Sequence, residues 1–177
     1  VETELVGKGV PLLYGSTTGN TAGVAERIAE RWSGSEPIEL IDIAVDGVTP
    51  IMESETLIIG APTWDFGELQ QDWTDEWESF CQLDLSGMRV ALFGVGDQLG
   101  YPEWFQDALG LIANQVRKGG GRLVAPWPNH GYKFEASLAL MEGKNQFVGL
   151  ALDEDSQAWA TDERLEVWLK QVQLEFS

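Results

Sequence analysis

Five short apolar runs, each followed by a stretch of helical periodicity, limit what this chain can fold into. Val10–Tyr14, Ile38–Ile43, Thr56–Gly60, Arg89–Gly94 and Arg122–Ala125 are mostly continuous rather than alternating, as strands covered on both faces require. Strands alternating with helices build a parallel sheet with crossover connections. Val24, Ala25, Ile28, Ala29 and Trp32 form one helical stripe, and Leu69, Trp73, Trp77, Phe80 and Cys81 form a second. Trp104, Phe105, Ala108, Leu109, Leu111, Ile112 and Val116 form a third. The spacing in each is that of a half-buried helix. A last helix is expected after Thr161 as N-cap, with Asp162 and Glu163 at the positive end of its dipole and Leu165, Trp168, Leu169 and Val172 inward. The fold class is α/β, a doubly wound open five-stranded parallel sheet with helices on both faces.

Two places break the rhythm. Gly119–Gly121 read as a helix stop with no ligand role. Pro126–Asp155 is too long for an ordinary connection. Phe147–Leu152 reads as the second half of an interrupted last strand, which makes residues 127–145 an inserted excursion. Residues 10–177 are expected to form one domain, after a lead-in over residues 1–9 that matches no motif and is expected to fray. Pro11 removes a ladder donor from a strand that should be central, so the first residues of that strand are expected to lie beyond the ladder.

Charge and composition exclude several functions. The chain of 177 residues has 29 acidic and 11 basic side chains, a net charge of -18. Such a surface repels phosphate backbones and anionic lipid, so neither nucleic acid nor membrane is an expected partner. One cysteine, Cys81, and one histidine, His130, cannot supply an iron–sulfur cluster or a histidine-rich metal site, and no metal is expected. Cys81 is expected to be buried in its stripe, and His130 to lie in a surface loop. With no long apolar run and no signal-like start, a cytoplasmic monomer is expected.

Gly15, Ser16, Thr17, Thr18, Gly19, Asn20 and Thr21 stand between the first strand and the first helix. A loop there offers backbone N–H groups, the positive end of the dipole and four hydroxyls, which suits an anion. The loop lacks the Gly-Lys-Ser/Thr ending of a nucleoside triphosphatase and the Gly-x-Gly-x-x-Gly of a dinucleotide fold. A single monoester phosphate fits better. Two further loops, Gly60 to Leu69 and Gly94 to Tyr101, reach the same carboxyl edge of a parallel sheet, where ligands bind. Trp64 and Tyr101 stand in them as flat walls. The combination suits a planar ring held by one phosphate.

Ser16-Thr17-Thr18-Gly19-Asn20-Thr21, Pro62-Thr63-Trp64 and Gly94-Val95-Gly96-Asp97-Gln98-Leu99-Gly100-Tyr101 resemble the three FMN-binding loops of the flavodoxins. The excursion and the tail Phe147 to Asp155 are similar to the long-chain class. The resemblance runs from about Val10 to Phe176 and implies strand order 2-1-3-4-5. It also implies FMN as cofactor, with Ser16 to Thr21 around the phosphate and Trp64 and Tyr101 on opposite faces of the ring. Backbone groups of Asp65, Phe66, Val95, Gly96 and Asp97 are implied at its polar edge, and Pro62, Thr63, Gly67, Trp104, Gln106 and Asp155 join the candidate set. In the family the peptide after the tryptophan turns over on reduction. Here that peptide is Asp65–Phe66, with no glycine to ease it.

The implied role is a low-potential one-electron carrier between redox proteins, not an enzyme. Its donors would be an NAD(P)H-dependent flavoprotein reductase or a pyruvate-oxidising enzyme. Its acceptors would be a nitrogenase reductase, a cytochrome or a biosynthetic radical enzyme. Asp72, Asp75, Glu76 and Glu78 could steer basic partners. One alternative is an FMN-dependent NAD(P)H:quinone oxidoreductase, although both ring faces read as walled. A signalling receiver would need acidic residues where Gly15-Ser16 and Gly60-Ala61 stand.

Overall fold

The computed structural model describes residues 9–143 and 145–177; most of the expected lead-in, residues 1–8, lies outside them. In chain order the elements begin with β1 (Val10–Tyr14), α1 (Asn20–Arg31), β2 (Ile38–Asp42) and a short α2 (Ile43–Asp46). β3 (Thr56–Trp64), β4 (Glu68–Leu69), α3 (Gln71–Cys81), β5 (Arg89–Val95) and α4 (Asp107–Lys118) follow. The chain closes with β6 (Arg122–Val124), β7 (Trp127–Pro128), β8 (Gln146–Phe147), β9 (Leu150–Leu152) and α5 (Ala158–Phe176).

The main sheet runs β2-β1-β3-β5-β6, all parallel. The fifth position is shared. β6 pairs with Arg89 to Ala91 of β5, and β9 pairs with Phe93 to Val95 of the same strand. The segment between them leaves the sheet, where β7 and β8 pair antiparallel. This is the expected interrupted strand, with one refinement: Gln146 and Phe147 belong to the small ribbon, and only Leu150 to Leu152 rejoin β5.

Each sheet face carries its own core. Trp73, Phe80, Leu109, Ile112 and Phe147 pack with Leu13, Ile59 and Leu92 on one side. Val24, Ile28, Leu165 and Trp168 pack with Leu12, Ile58 and Phe93 on the other. Strand residues alternate between the two, so the interior strands are apolar except near their ends. The excursion is anchored by aromatic side chains: the Phe147 ring centroid lies 5.4 Å from those of both Tyr132 and Phe134, and Phe105 lies 5.9 Å from Phe147.

Several sequence expectations shift. Pro11 is in the ladder, opposite Glu39 of β2. Val10 N–H donates to Pro37 O on that side, so alternation turns the proline nitrogen toward β3, whose pairing starts only at Leu12. β3 runs on to Trp64 because its pairing with β5 continues to Pro62 and Val95, and β4 then takes Thr63 and Trp64. α4 starts at Asp107, not at Trp104, since Gln106 takes φ 63° and interrupts any helix before it. α5 begins at Ala158. Thr161, expected as its cap, is buried within it and donates its hydroxyl to Glu154. Ile43 opens α2, capped by Asp42 through Ala44 N–H. Cys81 is half-buried at the end of α3 rather than fully enclosed.

Candidate cofactor-binding site

The loop Gly15 to Gly19 leads into α1 with no side-chain cap, and no acidic residue occupies the first helical turn. Gly19, the N-cap, adopts φ 94°, a conformation glycine reaches without steric cost. The first N–H groups of α1 therefore have no intrahelical or side-chain partner. Thr17, Thr18 and Asn20 are exposed, Ser16 is half-buried, and Thr21 is buried under the loop.

α3 contributes to the same place. A Cβ on Gly15 would lie 2.6 Å from Gln70 Oε1 and 2.9 Å from Trp73 Nε1. Trp73 is fully buried, and among the described residues its indole N–H has no partner; Ser16 Oγ and Gln70 Oε1 are also buried without one there. Gln70 Nε2 donates to Thr17 Oγ1 at 2.8 Å and to Asp72 at 2.6 Å, tying the loop to the start of α3. Buried donors left unpaired are costly. Two of them beside an uncapped helix N-terminus fit a phosphate monoester. Periodicity placed Trp73 only in the core stripe, because spacing reports that a ring is inward and says nothing of its N–H.

The other two loops meet through Phe66. Its ring is edge-on to Trp104 at 4.9 Å and to Tyr101 at 6.4 Å. Phe66 is 65% exposed and Leu99 62% exposed, an unusual amount of apolar surface beside Tyr101. Trp64 ends β3 half-buried, and Thr63 Oγ1 accepts from Ala108 N–H at 3.1 Å. Asp65 takes φ 43° and Gly67 φ 86°. Gly67 packs against the buried Asp107, whose Oδ2 would be 2.7 Å from a Cβ there. Burial pushes the Asp107 carboxyl above the ordinary aspartate value, against the Leu138 N–H bond that favours ionisation.

Val95, Gly96 and Asp97 follow β5. Gly96 N–H donates to Leu152 O at 2.9 Å, and Asp97 Oδ1 accepts from Leu99 and Gly100 N–H. Gln106 lies behind this loop, wholly buried, with Nε2 donating to Gly94 O and Leu152 O. That places it in support rather than at the surface. Asp155 is exposed, and its carboxyl is raised by partial burial, then by Asp97, Asp153 and Glu154. Asp97, Asp153 and Asp155 bring carboxylate oxygens within 4.8 Å, yet Asp153 already accepts bonds from Gln98, Asp155 and Ser156. Asp153 is thereby the centre of a hydrogen-bonded turn.

The structure thus brings the three loops to one sheet edge and ties each to its neighbours. The 610 Å³ cavity lined by Trp32, Glu36, Glu55 and Arg89 involves none of the candidate residues. These features gather unpartnered buried polar groups and exposed aromatic side chains at the carboxyl ends of β1, β3 and β5 of an α/β domain.

The sequence model of the flavodoxin family matches residues 12–168. A flavodoxin from Nostoc sp. is 44% identical over 96% of this chain and 98% of its own. Flavodoxin 2 of Salmonella typhi is 43% identical over 91% and 92%. The FMN-bound flavodoxin of Fusobacterium nucleatum superposes with a TM-score of 0.86 at 27% identity, covering 96% of this chain and 99% of that one. The chain belongs to the flavodoxin family, a family of electron-transfer proteins.

Proposed function

We propose that the protein is a one-electron carrier that holds FMN non-covalently at this edge. The observation carrying the reading is the convergence of an uncapped α1 N-terminus with the buried, unpartnered Trp73 and Ser16 donors. Bound FMN supplies the capacity to accept and release electrons singly. The protein's residues do the rest. Ser16 to Thr21, with Trp73 N–H, hold the phosphate, while Trp64 and Tyr101 flank the ring. The backbone of Asp65, Phe66, Val95, Gly96 and Asp97 meets its polar edge. Aromatic walls and a surface of net charge -18 disfavour added negative charge on the ring, which lowers its potential.

Partners are proposed to be basic redox proteins. Exposed Phe66 and Leu99 supply apolar contact at the ring edge, and Asp72, Asp75, Glu76 and Glu78 lie along α3, whose start meets the phosphate loop. Donors of the reductase or pyruvate-oxidising class and acceptors such as a nitrogenase reductase are supported by this acidity together with the family resemblance. Titrating the apoprotein with FMN tests the cofactor; binding of one equivalent with quenched flavin fluorescence is expected. Mixing the holoprotein with NADPH alone tests the role. A flavin that stays oxidised until a reductase is added supports a carrier, whereas direct bleaching would overturn it in favour of an oxidoreductase.

A further inference from the structure

Gln98 and Asp153 form a buried pair behind the third loop. Gln98 is 1% exposed and Asp153 not at all. Asp153 Oδ2 accepts from Gln98 N–H at 3.0 Å, from Gln98 Nε2 at 2.8 Å and from Ser156 Oγ at 2.6 Å. Its Oδ1 accepts from Asp155 N–H at 3.1 Å and Ser156 N–H at 2.8 Å. A carboxylate out of water needs such a set of donors, and here the set comes from two separate parts of the chain.

The same glutamine reaches a third. Its Oε1 accepts from Lys133 N–H at 2.5 Å, so the excursion between β7 and β8 bears on the loop directly. Next to it, Glu135 and Ala136 N–H donate to Pro102 O, and Leu138 N–H donates to Asp107 Oδ1. The side-chain amide of Gln98 is thus fixed at both ends, and its peptide nitrogen is held as well. The residues immediately before it are Val95, Gly96 and Asp97.

We propose that Gln98 and Asp153 are positioning residues for the flavin ring, with the excursion as their third support through Lys133. Neither touches the ring. They fix the path of residues 95–101 so that its backbone is already placed when the ring arrives, and preorganisation of this kind lowers the cost of binding. The proposal rests on the FMN reading above and assigns the excursion a mechanical role at the ring end of the site.

Riboflavin, which lacks the phosphate, separates the two ends of the site. Gln98→Ala should weaken riboflavin and FMN by the same factor, on the order of tenfold for a lost charge-assisted hydrogen bond. It should also change the ratio of affinities for oxidised and one-electron-reduced flavin, which a merely structural role would leave alone. Ser156→Ala is the milder variant and decides the matter if Gln98→Ala does not fold. It removes one donor to Asp153 and a weak acceptor of Gln98 Nε2, and a loss of about threefold for both ligands is expected. Folded variants with wild-type riboflavin affinity, or with an unchanged ratio, would overturn the proposal. A loss confined to FMN would overturn it too, because the effect would then lie at the phosphate. Failure of the wild-type protein to bind flavin would instead remove the FMN reading itself.

Discussion

The indole N–H of Trp127 donates to the Tyr132 hydroxyl at 2.9 Å, and that hydroxyl in turn donates to Ala151 O at 2.6 Å. One phenol therefore joins β7, the excursion and β9, with the Arg164 guanidinium 4.3 Å from its ring centroid. Tyr132→Phe leaves an indole donor and a strand carbonyl without their partner. A loss of about 2–4 kcal/mol is expected, read from urea unfolding. Burial pushes the phenol up to about 12, despite Arg164. The unfolded phenol ionises near its ordinary 10, so its stabilisation is complete below that pH and is lost as pH rises from 10 toward 12. The variant should lack this alkaline component.

Trp73→Phe removes the unpartnered indole N–H beside Gly15 while keeping an aromatic ring in the core. FMN affinity should fall about tenfold, with riboflavin affinity nearly unchanged. Fluorescence titration with both ligands checks the ratio. Equal loss for the two would place the indole outside the phosphate end.

Asp107→Asn should stabilise the protein at neutral pH. The native carboxyl is raised by burial, so on raising the pH the unfolded chain ionises first. The stability this group contributes is complete below the ordinary aspartate value and is lost as pH rises through the raised native one. Asparagine keeps an acceptor for Leu138 N–H and removes the charge. Thermal melts between pH 3 and 7 should show a gap between variant and wild type that widens with pH.

Asp65→Gly should raise the yield of one-electron-reduced flavin in an anaerobic titration. Asp65 already holds φ 43°, in the left-handed region that costs a side-chain-bearing residue about 1 kcal/mol. Glycine frees the Asp65–Phe66 peptide to turn over. An unchanged or lower yield would show that this peptide does not limit reduction.

The layered fold was legible because strand and helix periods alternate cleanly, and the three loops because their residues are unlike ordinary turns. Element ends were less legible. Nothing local announces that Gln106 will adopt a left-handed conformation and begin α4 three residues late, or that pairing with Val95 will carry β3 through Pro62. The supporting residues were hidden for another reason. Trp73 satisfies a helical stripe, and only the chain's return to the sheet edge sets its indole N–H beside Gly15 and the Asp153 carboxyl behind Gln98. Gln98 stood in the recognised motif, but its links to Asp153 and Lys133 span 55 and 35 residues.

The divided fifth position of the sheet also protects the protein from itself. An outer strand offers a row of unpaired amides to any neighbouring chain, and long flat edges seed aggregates. Here that border is made of β6 and β9, three residues each, separated by the turn at Ala125 with φ 55° and by the whole excursion. The opposite border, β2, exposes Glu39. Among the described residues neither side offers a long, uncharged template, so the interruption that admits the excursion also guards the sheet against edge-to-edge association.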